Sequence, residues 1–279
     1  MKKIPVRHID TTSKKKGSFQ NFSIRNLTDL LSGKDMVQPL HRHDFFYILI
    51  LEKGMGFHNI DFVNYEIKDN TIFFVRPGQV HRLELYAAST GYLIKFNTDF
   101  CHYVSLRKAS SQNYYSLDGN KFQRILSASN YIFDEFKNKR ENYFEIITAN
   151  LSLFFTELIR EQNKSGLENK NLYTQERLDE FTALLETQIF AHKQVSDYAG
   201  MLNLTPYQLN SITKTSLNKT ASELITEAII LESKRYLLAT TNQVNQIAGY
   251  MGYEDVSYFI RFFKKHTGFS PETFRKNFR

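Results

Sequence analysis

His41 and His43 stand two residues apart at the head of a strand-like run, and His81 follows the turn Arg76-Pro77-Gly78. Three imidazoles at such spacing ligate zinc or iron when strands draw them together. Strand alternation puts Tyr47 on the same side as His41 and His43, so the four residues can share one interior, where they suit contact with a small molecule or hydrogen-bonded packing equally well. A second set lies near the carboxyl end. With Leu209 and Ile212 turned inward, one helix presents Tyr207, Gln208, Asn210, Ser211 and Lys214; with Phe259 and Phe263 inward, another presents Ser257, Tyr258, Arg261, Lys264 and Lys265. Arginine bonds guanine bidentately, asparagine or glutamine bonds adenine, and lysine suits phosphate. Singly, each residue is ordinary on an exposed face; together they form a surface that reads a nucleic-acid groove.

The elements that carry this second set repeat one plan about fifty residues apart. Val195 and Ala199 share a helix face, Asn203 follows, and Thr205-Pro206 opens the next helix; Val244, Ile247 and Ala248 precede Gly252, and Asp255 opens its helix. A helix-turn-helix needs a small residue where its helices cross and a residue tolerant of positive φ in the turn. Ala199 with Asn203, and Ala248 with Gly252, supply both. Thr205 and Asp255 can cap the helices that follow, and Pro206 needs no amide partner at the first helical position. Between the units, Ala221 to Leu238 forms a long helix that holds them rigidly.

Composition limits the rest. A chain of 279 residues with 42% hydrophobic residues, 24 Phe and 16 Tyr has material for two packed cores. The longest wholly apolar run, Phe45 to Leu51, is too short to span a bilayer, and the start of the chain lacks the features of a signal peptide, so a cytoplasmic protein without membrane contact is expected. Cys101 has no disulfide partner and is expected to be a small buried hydrophobe. Net charge is +7, and from Val256 onward Arg261, Lys264, Lys265, Arg275, Lys276 and Arg279 face Glu272 as the only acid, a local excess that suits a polyanion or an ordinary solvated helix face. Residues 20 to about 97 read as strands punctuated by Gly54, Gly56, Pro77-Gly78 and Gly91. Helical periodicity follows in Phe122 to Phe136 and Phe144 to Leu158, then a polar stretch from Glu161 to Asn171, then helices to the end. The expected fold is α+β: a β-rich unit over 1–118, which by the resemblance of its histidine motifs described below is a cupin-like β-barrel, then helices over 119–162, a linker over 163–172, and an all-α double helix-turn-helix domain over 173–279.

Residues 173–279 resemble the DNA-binding domain of AraC/XylS-family transcriptional regulators, above all in Ile247-Ala248, Gly252-Tyr253, Ser257-Tyr258-Phe259, Arg261, Phe263-Lys264, Gly268, Ser270-Pro271 and Phe274-Arg275. The resemblance implies two reading helices in successive major grooves on one face of duplex DNA, with Tyr207, Asn210, Ser211, Ser257, Tyr258 and Arg261 facing the bases. The first unit departs from the pattern, with Ser211 and Thr213 where Arg and Phe are common. His41-x-His43 and Pro77-Gly78-x-x-His81 resemble the two motifs of a cupin barrel, but Tyr47 stands where catalytic cupins usually offer a carboxylate ligand. No metal, cofactor or enzymatic activity is therefore expected, and His41, His43, Tyr47 and His81 are assigned to a pocket for a small-molecule effector. The family's pattern further implies RNA polymerase as a partner and a homodimer formed through the two helices after the barrel, whose apolar faces could instead pack wholly on the barrel. Two other readings stay open: a cupin metalloenzyme fused to a DNA-binding module, and a regulator whose N-terminal domain serves only dimerisation or a protein partner.

Overall fold

The computed structural model describes residues 4–9, 22–97, 103–163 and 172–278; Cys101, the linker segment 164–171 and Arg279 lie outside them. The chain divides into two compact units, one spanning Pro5–Gly166 and the other built on Leu167–Arg279.

The N-terminal unit holds strands β1 (Val6–Arg7), β2 (Phe22–Asn26), β3 (Met36–His43), β4 (Phe46–Lys53), β5 (Gly56–Ile60), β6 (Val63–Ile67), β7 (Thr71–Val75), β8 (Val80–Leu85), β9 (Thr90–Phe96) and β10 (Tyr114–Ser116). Its helices are α1 (Leu27–Leu31), α2 (Tyr103–Ala109), α3 (Gly119–Asn138) and α4 (Tyr143–Asn163). Among the described residues two five-stranded sheets form, in the orders β1-β3-β8-β5-β6 and β10-β7-β4-β9-β2. The short elements β1, α1, α2 and β10 escape sequence patterning because none is long enough to establish a period.

Phe46 to Leu51 of β4 and all of β7 are buried, an unbroken apolar run in place of strict alternation. The reason is that both faces of this sheet are covered. Tyr47, Leu49, Leu51, Phe73 and Val75 share one core with Ile60, Leu83 and Leu85 of the first sheet. Phe46, Ile48, Ile50, Ile72 and Phe74 share another with Phe122, Leu126 and Ile132 of α3 and Ile147, Leu151, Phe154 and Leu158 of α4. The apolar helix faces read from the sequence thus lie against their own sheet; Tyr131 and Leu153 are the large apolar residues that α3 and α4 leave exposed.

The second unit is wholly helical among the described residues: α5 (Leu172–Gln188), α6 (Val195–Met201), α7 (Pro206–Leu217), α8 (Ala221–Ala239), α9 (Val244–Tyr250), α10 (Val256–Thr267) and α11 (Pro271–Phe278). The long helix α8 starts at a capping box in which Thr220 and Glu223 satisfy each other's backbone amides, and it buries Ile225, Ile229, Tyr236 and Leu237. Arg275 of α11 donates to the carbonyls of Leu237 (2.9 Å) and Asn242 (2.6 Å), so this member of the basic excess ties α11 to the end of α8. None of the described helices is long and apolar enough to cross a membrane.

Candidate nucleic-acid interface and histidine cluster

The two turns of the helical unit close in the same way. Leu204 N–H bonds the Ala199 carbonyl at 2.8 Å and Tyr253 N–H bonds that of Ala248 at 2.9 Å, while Asn203 N–H reaches Gly200 at 3.1 Å and Gly252 N–H reaches Gly249 at 3.0 Å. This closure requires a left-handed residue. Asn203 has φ 55° and Gly252 φ 73°, at the positions the sequence nominates. Ala199 and Ala248 are buried at the crossings. Thr205 Oγ1 accepts from Gln208 N (3.2 Å) and Gln208 Oε1 from Thr205 N (2.8 Å), completing a capping box; Asp255 Oδ1 accepts from Ser257 N (2.7 Å). The second turn holds one residue more, Glu254, before its cap. Each cap launches a helix of 12 residues ending in a left-handed residue, Asn218 or Gly268. Counted from their caps, Ser211 matches Arg261, Lys214 matches Lys264, and buried Thr213 matches buried Phe263.

Leu209, Ile212, Phe259 and Phe263 are buried, leaving Tyr207, Gln208, Ser211 and Lys214 exposed on α7 and Ser257, Tyr258, Arg261, Lys264 and Lys265 exposed on α10. Tyr207, 83% exposed, and Tyr258, 54% exposed, are large apolar rings with no core to fill. The Arg261 guanidinium lies 3.8 Å from Asp255 Oδ2 with both groups largely exposed. A pair that loose contributes little stability and leaves the guanidinium free to turn to a ligand. Asn210 differs from its neighbours. Its Nδ2 donates to the Pro206 carbonyl (3.1 Å) and its Oδ1 accepts from Ala221 N (3.0 Å), so its amide pins α7 to the first turn of α8. Asn210→Ala is expected to lower stability by about 1–2 kcal/mol in urea unfolding, because the Ala221 amide loses its acceptor; an unchanged midpoint would remove this role. Hydroxyls that helical parity did not bring forward, Thr215, Thr220 and Ser222, line a groove with Tyr207, Ser211 and Lys214. Thr220 and Glu223, three residues apart, are a pattern from which the start of α8 could have been found, though not its closeness to α7.

In the N-terminal unit, β3, β8 and β5 lie side by side and each sends histidine inward: His41 and His43, His81, and His58, all buried. His41 pairs directly with His81 across the ladder, just past an irregularity in β3. His43 Nε2 and His81 Nε2 are 2.7 Å apart, His81 Nδ1 is 2.8 Å from His58 Nε2, and His41 Nδ1 is 2.6 Å from the Pro39 carbonyl. Tyr47, from the facing sheet, stacks on His43 with ring centres 5.4 Å apart and meets His81 edge-on at 5.2 Å. Burial holds His43 down to about 2 and His58 down to about 3, with His41 adding to each, and keeps His81 well below the ordinary imidazole value. The rings are therefore neutral at pH 7. All four residues named from the sequence meet here. His58 was missed, since strand parity turns it inward but says nothing of which strand lies beside it. Among the described residues, the group able to hold a metal is His41, His43 and His81, without a carboxylate.

A two-sheet unit with a polar spot in its interior, followed by a helical unit carrying two matched helix-turn-helix motifs, defines a DNA-binding transcriptional regulator with a ligand-binding domain. A family model for the AraC-like ligand binding domain matches residues 33–142, and one for a helix-turn-helix domain matches residues 198–277. The chain belongs to the AraC/XylS family of transcriptional regulators. It is similar to the HTH-type transcriptional activator RhaS of Enterobacter sp. (strain 638), at 24% identity over 247 residues, 85% of this chain and 87% of that protein. It is also similar to the HTH-type transcriptional activator RhaR of Yersinia pseudotuberculosis serotype O:1b (strain IP 31758), at 20% identity over 251 residues, 85% of this chain and 84% of that one. Among solved structures, unsaturated fatty acid bound wild-type ToxT from Vibrio cholerae strain SCE256 aligns over 94% of this chain and 97% of that chain, with 15% identity and a TM-score of 0.44.

Proposed function

We propose that the chain reads an operator in duplex DNA with α7 and α10. Tyr207, Ser211, Ser257, Tyr258 and Arg261 face the bases, and Gln208, Lys214, Lys264 and Lys265 hold the register, largely through phosphate. Asn210, which the sequence placed among the base readers, acts here by fixing α7 on α8. One observation carries this reading: two turns closed by the same hydrogen bonds launch capped helices of equal length, each buried on its inner side and polar on its outer side. The working divisions are the sensor barrel over 1–118, connecting helices over 119–162, a linker over 163–172 and the DNA-binding domain over 173–279. A small-molecule effector enters beside His41, His43, Tyr47 and His81, and its preference for one arrangement of the sensor changes operator affinity by linkage. The protein is a regulator and not an enzyme; it works in the cytoplasm, where its DNA is. It pairs as a homodimer through what α3 and α4 leave exposed, Tyr131 and Leu153, and it acts with RNA polymerase as an activator, the role in the names of RhaS and RhaR.

The test is selection of bound fragments from genomic DNA, followed by titration of a selected duplex against a scrambled one over a range of salt. Tighter binding to the selected duplex is expected; equal binding would end the proposal. In the same titrations Lys264→Ala should weaken both duplexes alike and reduce the salt slope by about one. A loss confined to the selected duplex would instead give Lys264 a base contact.

A further inference from the structure

The histidine cluster carries an inference that goes beyond the effector reading and stands without it. We propose that His41, His43 and His81 bind a divalent first-row transition-metal ion such as zinc, cobalt(II) or iron(II), with His58 as the positioning residue behind His81.

The geometry argues for this in three ways. First, the rings are arranged around a common point. Their centres are 4.7 Å (His41 to His43), 4.4 Å (His41 to His81) and 4.8 Å (His43 to His81) apart, and one nitrogen from each lies within 4.8 Å of the others. A metal–nitrogen bond of about 2.1 Å, with roughly 1.1 Å more to the ring centre, puts neighbouring ring centres about 4.5 Å apart for ligands at right angles. The triangle therefore has the size of a three-imidazole face, and ligation needs His43 and His81 to part slightly and His41 to close in.

Second, hydrogen bonds outside the triangle suit the tautomers that ligation needs. A carbonyl can only accept, so His41 Nδ1 carries the proton given to Pro39 and Nε2 keeps its lone pair. His81 Nδ1 faces His58 Nε2, and with the His81 proton on Nδ1 the lone pair of its Nε2 turns to the ion in place of His43 Nε2. Metal-bound histidines are usually held by such a partner on the other nitrogen.

Third, two ring nitrogens of the cluster lack a partner among the described residues: His43 Nδ1 and His58 Nδ1 are buried without a hydrogen bond. Buried polar groups rarely stay in this condition without a bound species. The contact of His43 Nε2 with His81 Nε2, 2.7 Å long, joins two ring nitrogens that either an N–H on one of them or a cation between them can satisfy. Tyr47 in place of a carboxylate does not remove the site. It leaves three neutral ligands around an ion that keeps its double charge, with open positions for water or an anion.

The experiment uses the tag-free full chain, stripped with chelator and titrated with cobalt(II), read by visible ligand-field absorption and by calorimetry. One tight equivalent per chain with a ligand-field spectrum is expected. It should be displaced by zinc and lost in His43→Leu and His81→Leu. His58→Leu should weaken binding about 10- to 100-fold, and His58→Gln, which can still bond His81 Nδ1, should recover part of that loss. Far-UV melts of the metal-free proteins check that the variants fold. Absence of saturable binding to the wild-type chain overturns the proposal whatever the variants do, and so does equal binding by a folded His43→Leu/His81→Leu double variant. Neither result touches the DNA-binding reading, which is measured separately by operator titration.

Discussion

Gly252→Ala is expected to destabilise the C-terminal unit by about 3 kcal/mol and to lower its thermal midpoint by more than about 10 °C, with loss of operator binding at the temperature where the wild-type chain binds. Two costs combine. The residue sits at φ 73°, where an alanine costs about 1 kcal/mol or more. A Cβ there would also lie 2.1 Å from the Phe190 carbonyl oxygen and 2.6 Å from Lys193 Nζ. The carbonyl is backbone and cannot step aside, so overpacking adds about 1–3 kcal/mol. The contact matters because it joins the two motifs: Lys193 Nζ donates to the Gly252 carbonyl at 3.1 Å and lies 5.0 Å from the centre of the Tyr253 ring, while Phe190 packs on Tyr250. Gly249→Ala provides the contrast. Gly249 lies in α9 with open space around it, and alanine there should be neutral or stabilising by up to about 1 kcal/mol. Urea unfolding of both variants decides the point; equal midpoints would rule out the close approach.

Arg261→Ala should weaken binding to the selected operator by about 5- to 150-fold, equivalent to about 1–3 kcal/mol, and relax the preference at one base pair. Arg261→Lys should keep most of the salt-dependent affinity and still lose that preference, because an ammonium lacks the planar fork that pairs with guanine. The guanidinium starts from a weak, exposed pairing with Asp255, so little is given up when it turns to DNA. Affinities over a panel of duplexes substituted one position at a time provide the check. A preference profile identical to that of the wild-type chain would remove Arg261 from the base-reading set. In the first motif the matching residue is Ser211, whose short side chain reaches less far, so substitutions there should matter less than those at Arg261.

The helical half was readable from the chain because its signals are local. Ala199, Asn203, Thr205 and Pro206, or Ala248, Gly252 and Asp255, each act within a few residues of one another, through a crossing, a turn and a cap. The positive φ angles of Asn203 and Gly252 and the two caps follow from the residue types themselves. Asn210 shows the limit of this. Its helical position turns it outward, but the first turn of α8 comes close enough to take its carbonyl oxygen, and that proximity belongs to packing. In the sensor half, periodicity revealed that α3 and α4 each had an apolar face without saying what would cover it. Their own sheet does.

Chain order and residue type were enough to determine the two kinds of unit, the paired turns and the shared parity of His41, His43 and Tyr47, since each rests on backbone preferences and on spacings of two, three or four residues. Tertiary structure alone decided that β5 would lie beside β8 and bring His58 behind His81, that Asn210 would serve α8, and that Gly252 would sit against the Phe190 carbonyl. Those are meetings between segments far apart in the chain. They depend on which surfaces bury together, and no local preference encodes that.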